Sequence, residues 1–338
     1  MSAALTAAQR RALAQRFGAA VRFDVPLAPY TSARIGGPAD ALLTVASVEA
    51  LAAAVAWLWQ QGLPFRVLGG GSNVLVADAG LRGVVLLNRA RAVTLRADRA
   101  PYEARAASGA SLGALARRTV AEGLEGLAWA VGIPGTVGGA VVGNAGAFGG
   151  DIAGVLQTAE VLVLTPEGRS QPEVWTAADL GFAYRTSALK RGAVRGVVLR
   201  ATFRLRRAAD PAALQAWVAE TQARRRATQP PGASMGSMFK NPPGDAAGRL
   251  IDAAGLKGLR RGDATISPRH ANFFVNQGAA TARAVWALLV QARATVYRRF
   301  GVLLEPEIEL VGAWTRRERA AVYGSVADML AAAEEVVS

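Results

Sequence analysis

A chain of 338 residues, 51% of them hydrophobic, is long enough for two or three packed units and can build a core without covalent staples. It has no cysteine, which excludes disulfides, thiolate metal sites and flavin tethered through sulfur, and which suits a reducing compartment. The net charge of +14 invites a nucleic-acid partner, yet lysine occurs only at Lys190, Lys240 and Lys257 and the other basic residues are arginine. Such Arg and Ala richness follows as readily from nucleotide bias, and no recognition-helix pattern accompanies it. An anionic small molecule accounts for the sign equally well. The N-terminus lacks the features of a signal peptide, and no apolar run reaches the roughly 20 residues of a membrane span. A cytoplasmic protein, with no membrane and no nucleic acid as partner, is expected.

In chain order, residues 1–18 read as a helix. Ser47 reads as the N-cap of a second helix that runs through Trp59. Phe65-Arg66-Val67-Leu68 reads as a strand entering Gly69-Gly70-Gly71-Ser72-Asn73, followed by strands at Val74–Val76 and Val84–Leu87. A second unit opens near Ala92, with strands at Val93–Leu95 and Ala104–Ala106. Ser111 caps a helix ending at Gly123, and a glycine-rich stretch runs from Gly132 to Gly149. Strands at Ala159–Leu164 and Gly196–Leu205 close this unit. The third begins with a helix from Asp210-Pro211 to about Arg226. It continues with a helix near Ala246–Ala254, a strand at Phe273–Val275, a long helix at Ala282–Phe300 and a strand around Leu303–Leu310. From Ala313 onward the chain reads as a helical, polar-faced tail. The divisions are 1–90, 91–208, 209–312 and 313–338.

Two glycine clusters border apolar strands. One alone is as readily a tight turn, but amides freed of Cβ crowding converge well on phosphate oxygens. Neither cluster is a dinucleotide fingerprint, because the sixth position counted from Gly69 is Val74, and there is no P-loop. Two such loops suggest a pyrophosphate held between two small subdomains.

The segments Arg34-Ile35-Gly36-Gly37-Pro38-Ala39-Asp40, Gly69 to Val76, and Gly132 to Ala140 with Asn144 to Gly149 together resemble the UDP-N-acetylenolpyruvoylglucosamine reductase family. The resemblance spans about residues 20–312. It implies an α+β or α/β chain with the FAD-binding fold of the vanillyl-alcohol-oxidase (PCMH) type: two α/β subdomains around the flavin and a C-terminal α/β substrate-binding domain. It implies non-covalent FAD, NADPH as co-substrate, and reduction of a UDP-sugar enolpyruvyl ether to UDP-N-acetylmuramate; a monomer is expected. Leu68, Gly69, Gly70, Gly71, Ser72 and Asn73, with Ile133, Pro134, Gly135, Thr136, Gly138, Gly139 and Asn144, would then hold the cofactor. Thr136 stands where serine is usual, so the hydroxyl is kept.

Reducing an enol ether needs a hydride source, a sink for developing negative charge and a proton donor. Tyr184-Arg185-Thr186-Ser187 resembles the family's Tyr-Arg-x-Ser motif, which gives Arg185 the enolpyruvyl carboxylate and Tyr184 a substrate contact. Gly236-Ser237-Met238-Phe239-Lys240-Asn241-Pro242 makes Ser237 the proton donor and Lys240 and Asn241 substrate-binding or loop-ordering residues. Leu304-Glu305-Pro306-Glu307-Ile308 makes Glu307 the catalytic carboxylate, with Glu305 the alternative, since residues of equal parity share a strand face. His270, the single histidine, rules out a histidine metal site or triad and is expected to bind substrate. Arg225 matches a substrate-phosphate arginine, while Thr228 replaces a usual lysine. The short interval between Arg185 and Ser237 places the chain in the subtype without a tyrosine-bearing insertion. Another flavin oxidoreductase of the same fold, acting on an alcohol or hydroxy acid, is the alternative. A basic nucleic-acid binder without catalysis rests on charge alone.

Overall fold

The structure, a computed structural model, describes residues 3–337. Thr6 and Gln9 form a reciprocal capping box, so the first helix is Ala7–Phe17 and starts later than the sequence suggests. Residues 1, 2 and 338, included in the expected terminal helices, lie outside the described residues.

The first sheet has four strands in the order Val21–Pro26, Pro38–Val45, Leu81–Asn88, Phe65–Leu68. Its last two pairings are parallel, and Val48–Gln60, capped by Ser47, packs on one face through Leu51, Val55 and Leu58. The second sheet is antiparallel. Its strands run Ser170–Trp175, Leu156–Leu164, Gly196–Arg207, Tyr102–Ala107, Val93–Arg96, and Leu124–Glu125 pairs with the far end of Gly196–Arg207. Leu112–Ala121 covers this sheet with Leu112, Leu115 and Ala116. The third sheet runs Ala233–Ser237, Phe273–Asn276, Ala264–Ile266, Arg260–Arg261, beneath the long helix Ala282–Phe300.

Three expectations need correction. Val74–Val76 leaves the first sheet and pairs in parallel with Glu309–Val311, so residues from opposite ends of the chain share a two-stranded sheet. The expected strand at Leu303–Leu310 is regular only over Glu309–Val311, because Pro306 has no N–H to give a ladder. The stretch from Gly132 to Gly149 is not all loop. Thr136 caps a helix, Val137–Gly143, despite its glycines. Tight packing explains their presence, since a Cβ on Gly138 would stand 2.8 Å from that of Ser108.

The third core draws Ala33, Ile35, Leu75 and Ala77 from the front of the chain. It also takes Ala321, Val322, Met329, Ala332 and Ala333, so the residues after 313 are built into this core and are not a polar-faced appendage. Asp78 accepts the amides of Ala282 and Arg283 at 2.7 and 2.9 Å, anchoring the long helix to the first unit.

The two glycine loops meet face to face. A Cβ on Gly70 would lie 3.0 Å from the Cα of Gly135, and one on Gly69 would lie 2.3 Å from Thr136 Oγ1. Gly71 has φ +60°, and its Cβ would fall 2.2 Å from the carbonyl oxygen of Tyr30. A Gly71→Ala protein therefore meets both a left-handed conformation and an immovable backbone atom. It is expected to lose about 1–3 kcal/mol of stability, read as a lower midpoint in denaturant titration at unchanged slope.

Candidate active site

Arg185 occupies the second central position of a tight turn. Thr186 N–H donates to Ala183 O at 3.1 Å and Ala183 N–H to Thr186 O at 3.2 Å, and Arg185 takes φ +59°. That conformation is uncommon for any residue other than glycine, so the surroundings must hold it. Lys190 Nζ donates to Arg185 O at 3.1 Å, Asn144 Nδ2 to Ala183 O at 3.1 Å, and the buried Ser187 hydroxyl to Val142 O at 2.7 Å. The turn is thus bolted to the end of the helix Val137–Gly143.

Glu307 reaches the same place from the other end of the chain. Its N–H donates to Met238 O at 2.9 Å, Lys240 N–H donates to Glu305 O at 2.9 Å, and Phe239 bridges to Pro306. Residues 237–240 and 305–307 therefore run side by side, which puts Ser237 next to Glu307 along the backbone. Asn272 fixes this lane: its side chain accepts from Phe239 N–H at 2.9 Å and donates to Phe239 O at 2.8 Å, while its carbonyl takes Met238 N–H at 2.8 Å. Asn73, at the end of the first glycine loop, donates to Glu307 O at 3.1 Å.

Arg185 Nε stands 2.9 Å from Glu307 Oε1. This is an ion pair, but the buried Nε–H is not aimed along that line and has no hydrogen-bond acceptor. Burial pushes the Glu307 carboxyl up, against the opposing pull of Arg185, Lys190 and Lys240. Burial lowers Lys190 in turn, with Lys240 and Arg185 adding repulsion and Glu309 and Glu307 opposing. A carboxyl raised by burial favours folding when protonated. That contribution is complete below its unfolded value and disappears as pH rises through the folded one. Glu307→Gln is expected to gain stability relative to the wild type as pH rises through that window, with a margin that is constant above it and vanishes in acid, read in thermal melts.

The two glutamates do not share a face, contrary to the parity argument. Glu305 is largely exposed and pairs with Lys240, while only 18% of the Glu307 side chain is exposed. The proline between them breaks the strand geometry on which parity depends.

The glycine loops border a cleft of about 680 Å³ whose walls include Gly70, Gly109, Gly135, Ser111 and Thr136, with Arg89, Arg91 and Arg118. Arg89 donates to Gly69 O at 3.1 Å, and burial lowers its pKa. Amides without Cβ crowding beside three guanidinium groups suit a pyrophosphate diester, so this donor set fits FAD. The three arginines were not singled out from sequence. The signal for two of them is the Arg89-x-Arg91 that leaves Leu81–Asn88 at the end where Gly69 begins, while Arg118 comes from the helix Leu112–Ala121.

The other expected cofactor residues divide. Pro134 and Gly139 flank the cleft-lining Gly135 and Thr136 in the chain, whereas Ile133 and Leu68 pack into apolar clusters. The Asn144 amide is fully committed, donating to Asp151 and Ala183 and accepting from Ala153 N–H, so its side chain holds the corner and has no hydrogen left for a cofactor.

Among the expected substrate contacts, Tyr184 is exposed, with the Arg185 guanidinium 5.4 Å from its ring centre. Asn241 accepts from Ala247 N–H at 3.1 Å and so starts the helix Ala247–Ala253. His270 Nδ1 accepts from Asn272 N–H at 3.3 Å, its ring lies against Phe273, and burial lowers its pKa. Arg225 faces a cavity of about 340 Å³ with Arg226, Arg269, Gln222, Gln229 and Gly132. Thr228 donates to Arg224 O at 2.9 Å, and Arg269 bonds to Arg226 O and Gln229 O, which keeps a cation beside the position that lacks lysine. Lys190 and Asn272, which sequence reasoning passed over, hold the backbone of this candidate site.

Residues 228–311 match the family model of the UDP-N-acetylenolpyruvoylglucosamine reductase C-terminal domain, and residues 39–171 match that of an FAD binding domain. The reductase of Chloroflexus aggregans is 44% identical over 294 residues, covering 86% of this chain and 97% of that protein. That of Rubrobacter xylanophilus is 46% identical over 300 residues, with coverage of 88% and 97%. The crystal structure of the reductase from Thermus caldophilus superposes with a TM-score of 0.71 at 38% identity, covering 86% of this chain and 99% of that one. Among the described residues no helix is long and apolar enough to cross a membrane.

Proposed function

The chain belongs to the UDP-N-acetylenolpyruvoylglucosamine reductase family, and from that premise we propose that it reduces UDP-N-acetylglucosamine enolpyruvate to UDP-N-acetylmuramate with NADPH. The reading rests foremost on the ion pair of Arg185 with a largely buried Glu307, whose carboxyl burial pushes up, on the segment that runs beside Ser237.

Gly70, Gly71, Ser72, Gly135 and Thr136, with Arg89, Arg91 and Arg118, would hold FAD. What bound FAD supplies is hydride carriage from NADPH to the enolpyruvyl methylene carbon. The protein's own residues do the rest. The Arg185 fork binds the enolpyruvyl carboxylate, completing the Nε–H that lacks an acceptor, and stabilises the negative charge that builds on it. Ser237 delivers a proton to the α-carbon. Glu307, protonated more readily than an ordinary carboxyl, assists that transfer. Lys240 and His270 line the substrate side, and Arg225, beside Arg226 and Arg269, meets the diphosphate of the UDP-sugar. One chain contributes every one of these residues, so a monomer suffices. The cysteine-free composition suits the cytoplasm, and nucleic acid has no part in the reading.

An anaerobic experiment tests it. Purified protein is reduced with NADPH, and UDP-N-acetylglucosamine enolpyruvate is then added. The oxidised flavin band is expected to return in proportion to UDP-N-acetylmuramate formed. A band that stays bleached with this substrate but recovers with simple alcohol-derived carbonyls overturns the assignment.

A further inference from the structure

The strand Glu309–Val311 pairs with Val74–Val76 on one side, and the chain's last helices stand on the other. No further ladder there satisfies the backbone, but side chains do. The hydroxyl of Tyr323 accepts Leu310 N–H at 2.8 Å and donates to Ile308 O at 3.3 Å. Arg319 donates to Leu310 O at 3.0 Å and to Gly312 O at 2.9 Å. Both belong to the helix Arg316–Tyr323, whose Thr315–Glu318 capping box fixes its start and whose Ala321 O is held by the buried Arg293 at 2.6 Å. Arg293 also donates to Leu304 O at 2.8 Å, on the opposite flank of Glu305-Pro306-Glu307. This helix lies beyond residue 311, where the match to the family's C-terminal domain ends.

We infer that Tyr323 and Arg319 are positioning residues that replace a missing neighbour strand and hold the segment carrying Glu307 against Arg185. Ile308, whose carbonyl Tyr323 takes, follows Glu307 directly, so slack there is slack in the carboxylate. A catalytic pair tolerates little of it, since a displacement near 1 Å costs on the order of 100-fold in rate. The groups around Glu307 are Arg185, Lys190 and Lys240, and those around the Tyr323 hydroxyl are Glu309, Arg319 and Arg66. The brace touches none of the groups that pair with the substrate.

The inference rests on the reductase reading for its catalytic consequence alone. Tyr323→Phe keeps the ring and deletes the hydroxyl, leaving Leu310 N–H and Ile308 O unpaired. Amide exchange at Leu310 is expected to speed up on the order of 10-fold. The Glu307 carboxyl, followed by carbon NMR, is expected to titrate nearer its ordinary value as water gains access. Reoxidation of the reduced enzyme by the enol ether is expected to slow about 10-fold, with reduction by NADPH unchanged. Arg319→Gln, which leaves the hydroxyl in place, is expected to give the same selective loss. Faster exchange with an unmoved Glu307 titration and unchanged reoxidation overturns the inference, as does unchanged exchange. A wild-type protein unable to reduce the enol ether would sink the reductase reading instead, while exchange and titration still decide the brace.

Discussion

Ser237→Ala leaves reduction by NADPH intact and slows reoxidation by the enol ether about 10²- to 10⁴-fold, the usual worth of a positioned proton donor. The asymmetry follows from where the hydroxyl sits. It ends the strand Ala233–Ser237, opposite Phe273 and one residue before the carbonyl that holds Glu307 N–H. Nothing in that position bears on hydride arriving from NADPH; everything bears on the proton that must reach the α-carbon. Removing one oxygen from a half-buried serine leaves the Asn272 clamp on Met238 and Phe239 untouched, so the fold and flavin content should hold. Stopped-flow records of the two half-reactions check this. Equal losses in both would mean that the residue shapes the pocket and does not donate the proton.

Arg185→Gln is expected to cost on the order of 10² to 10³ in kcat, because a preorganised donor to the developing charge is lost, and to raise KM for the enol ether as well. A second effect separates this change from Ser237→Ala. Arg185 is the foremost cation opposing the burial of Glu307, so its removal should push the Glu307 carboxyl higher still and move the alkaline limb of the pH–rate profile upward. Glutamine meets the same left-handed backbone as arginine at φ +59° and adds no new backbone strain, so stability should fall only at pH values where Glu307 is ionised without its partner. Arg185→Lys keeps the charge without the planar fork and should fall between the two. Steady-state kinetics across pH, together with a melting curve, decide the matter.

The long helices were legible because start signals and apolar spacing agree at Ser47, Ser111 and Asp210, and the structure adds Thr281 as the cap of Ala282–Phe300. The glycine loops were legible as a pair, and the structure brings them into backbone contact. Glu307 and Glu305 were harder. Their parity suggested equivalence, and only the break at Pro306, with Lys240 drawing Glu305 outward, separates them. Lys190 and Asn272 were hidden for another reason. Each acts on backbone groups of a neighbouring motif, Arg185 O in one case and the Met238–Phe239 turn in the other, and a linear reading assigns chemistry to side chains facing ligands. The helix Arg316–Tyr323 was read as peripheral because its low apolar content conceals Tyr323 and Arg319, whose polar tips do the holding.

The central claim is that hydride and proton enter from different donors at adjacent carbons, with Ser237 serving the α-carbon. A single turnover in deuterated water with unlabelled NADPH, followed by NMR of the lactyl group, tests it most directly. The account predicts deuterium at the α-carbon whatever the methyl group carries, because the hydrogen held by a reduced flavin exchanges with solvent, and a solvent isotope effect on this step that Ser237→Ala abolishes along with the fast rate. Deuterium in the methyl group with protium at the α-carbon would contradict it.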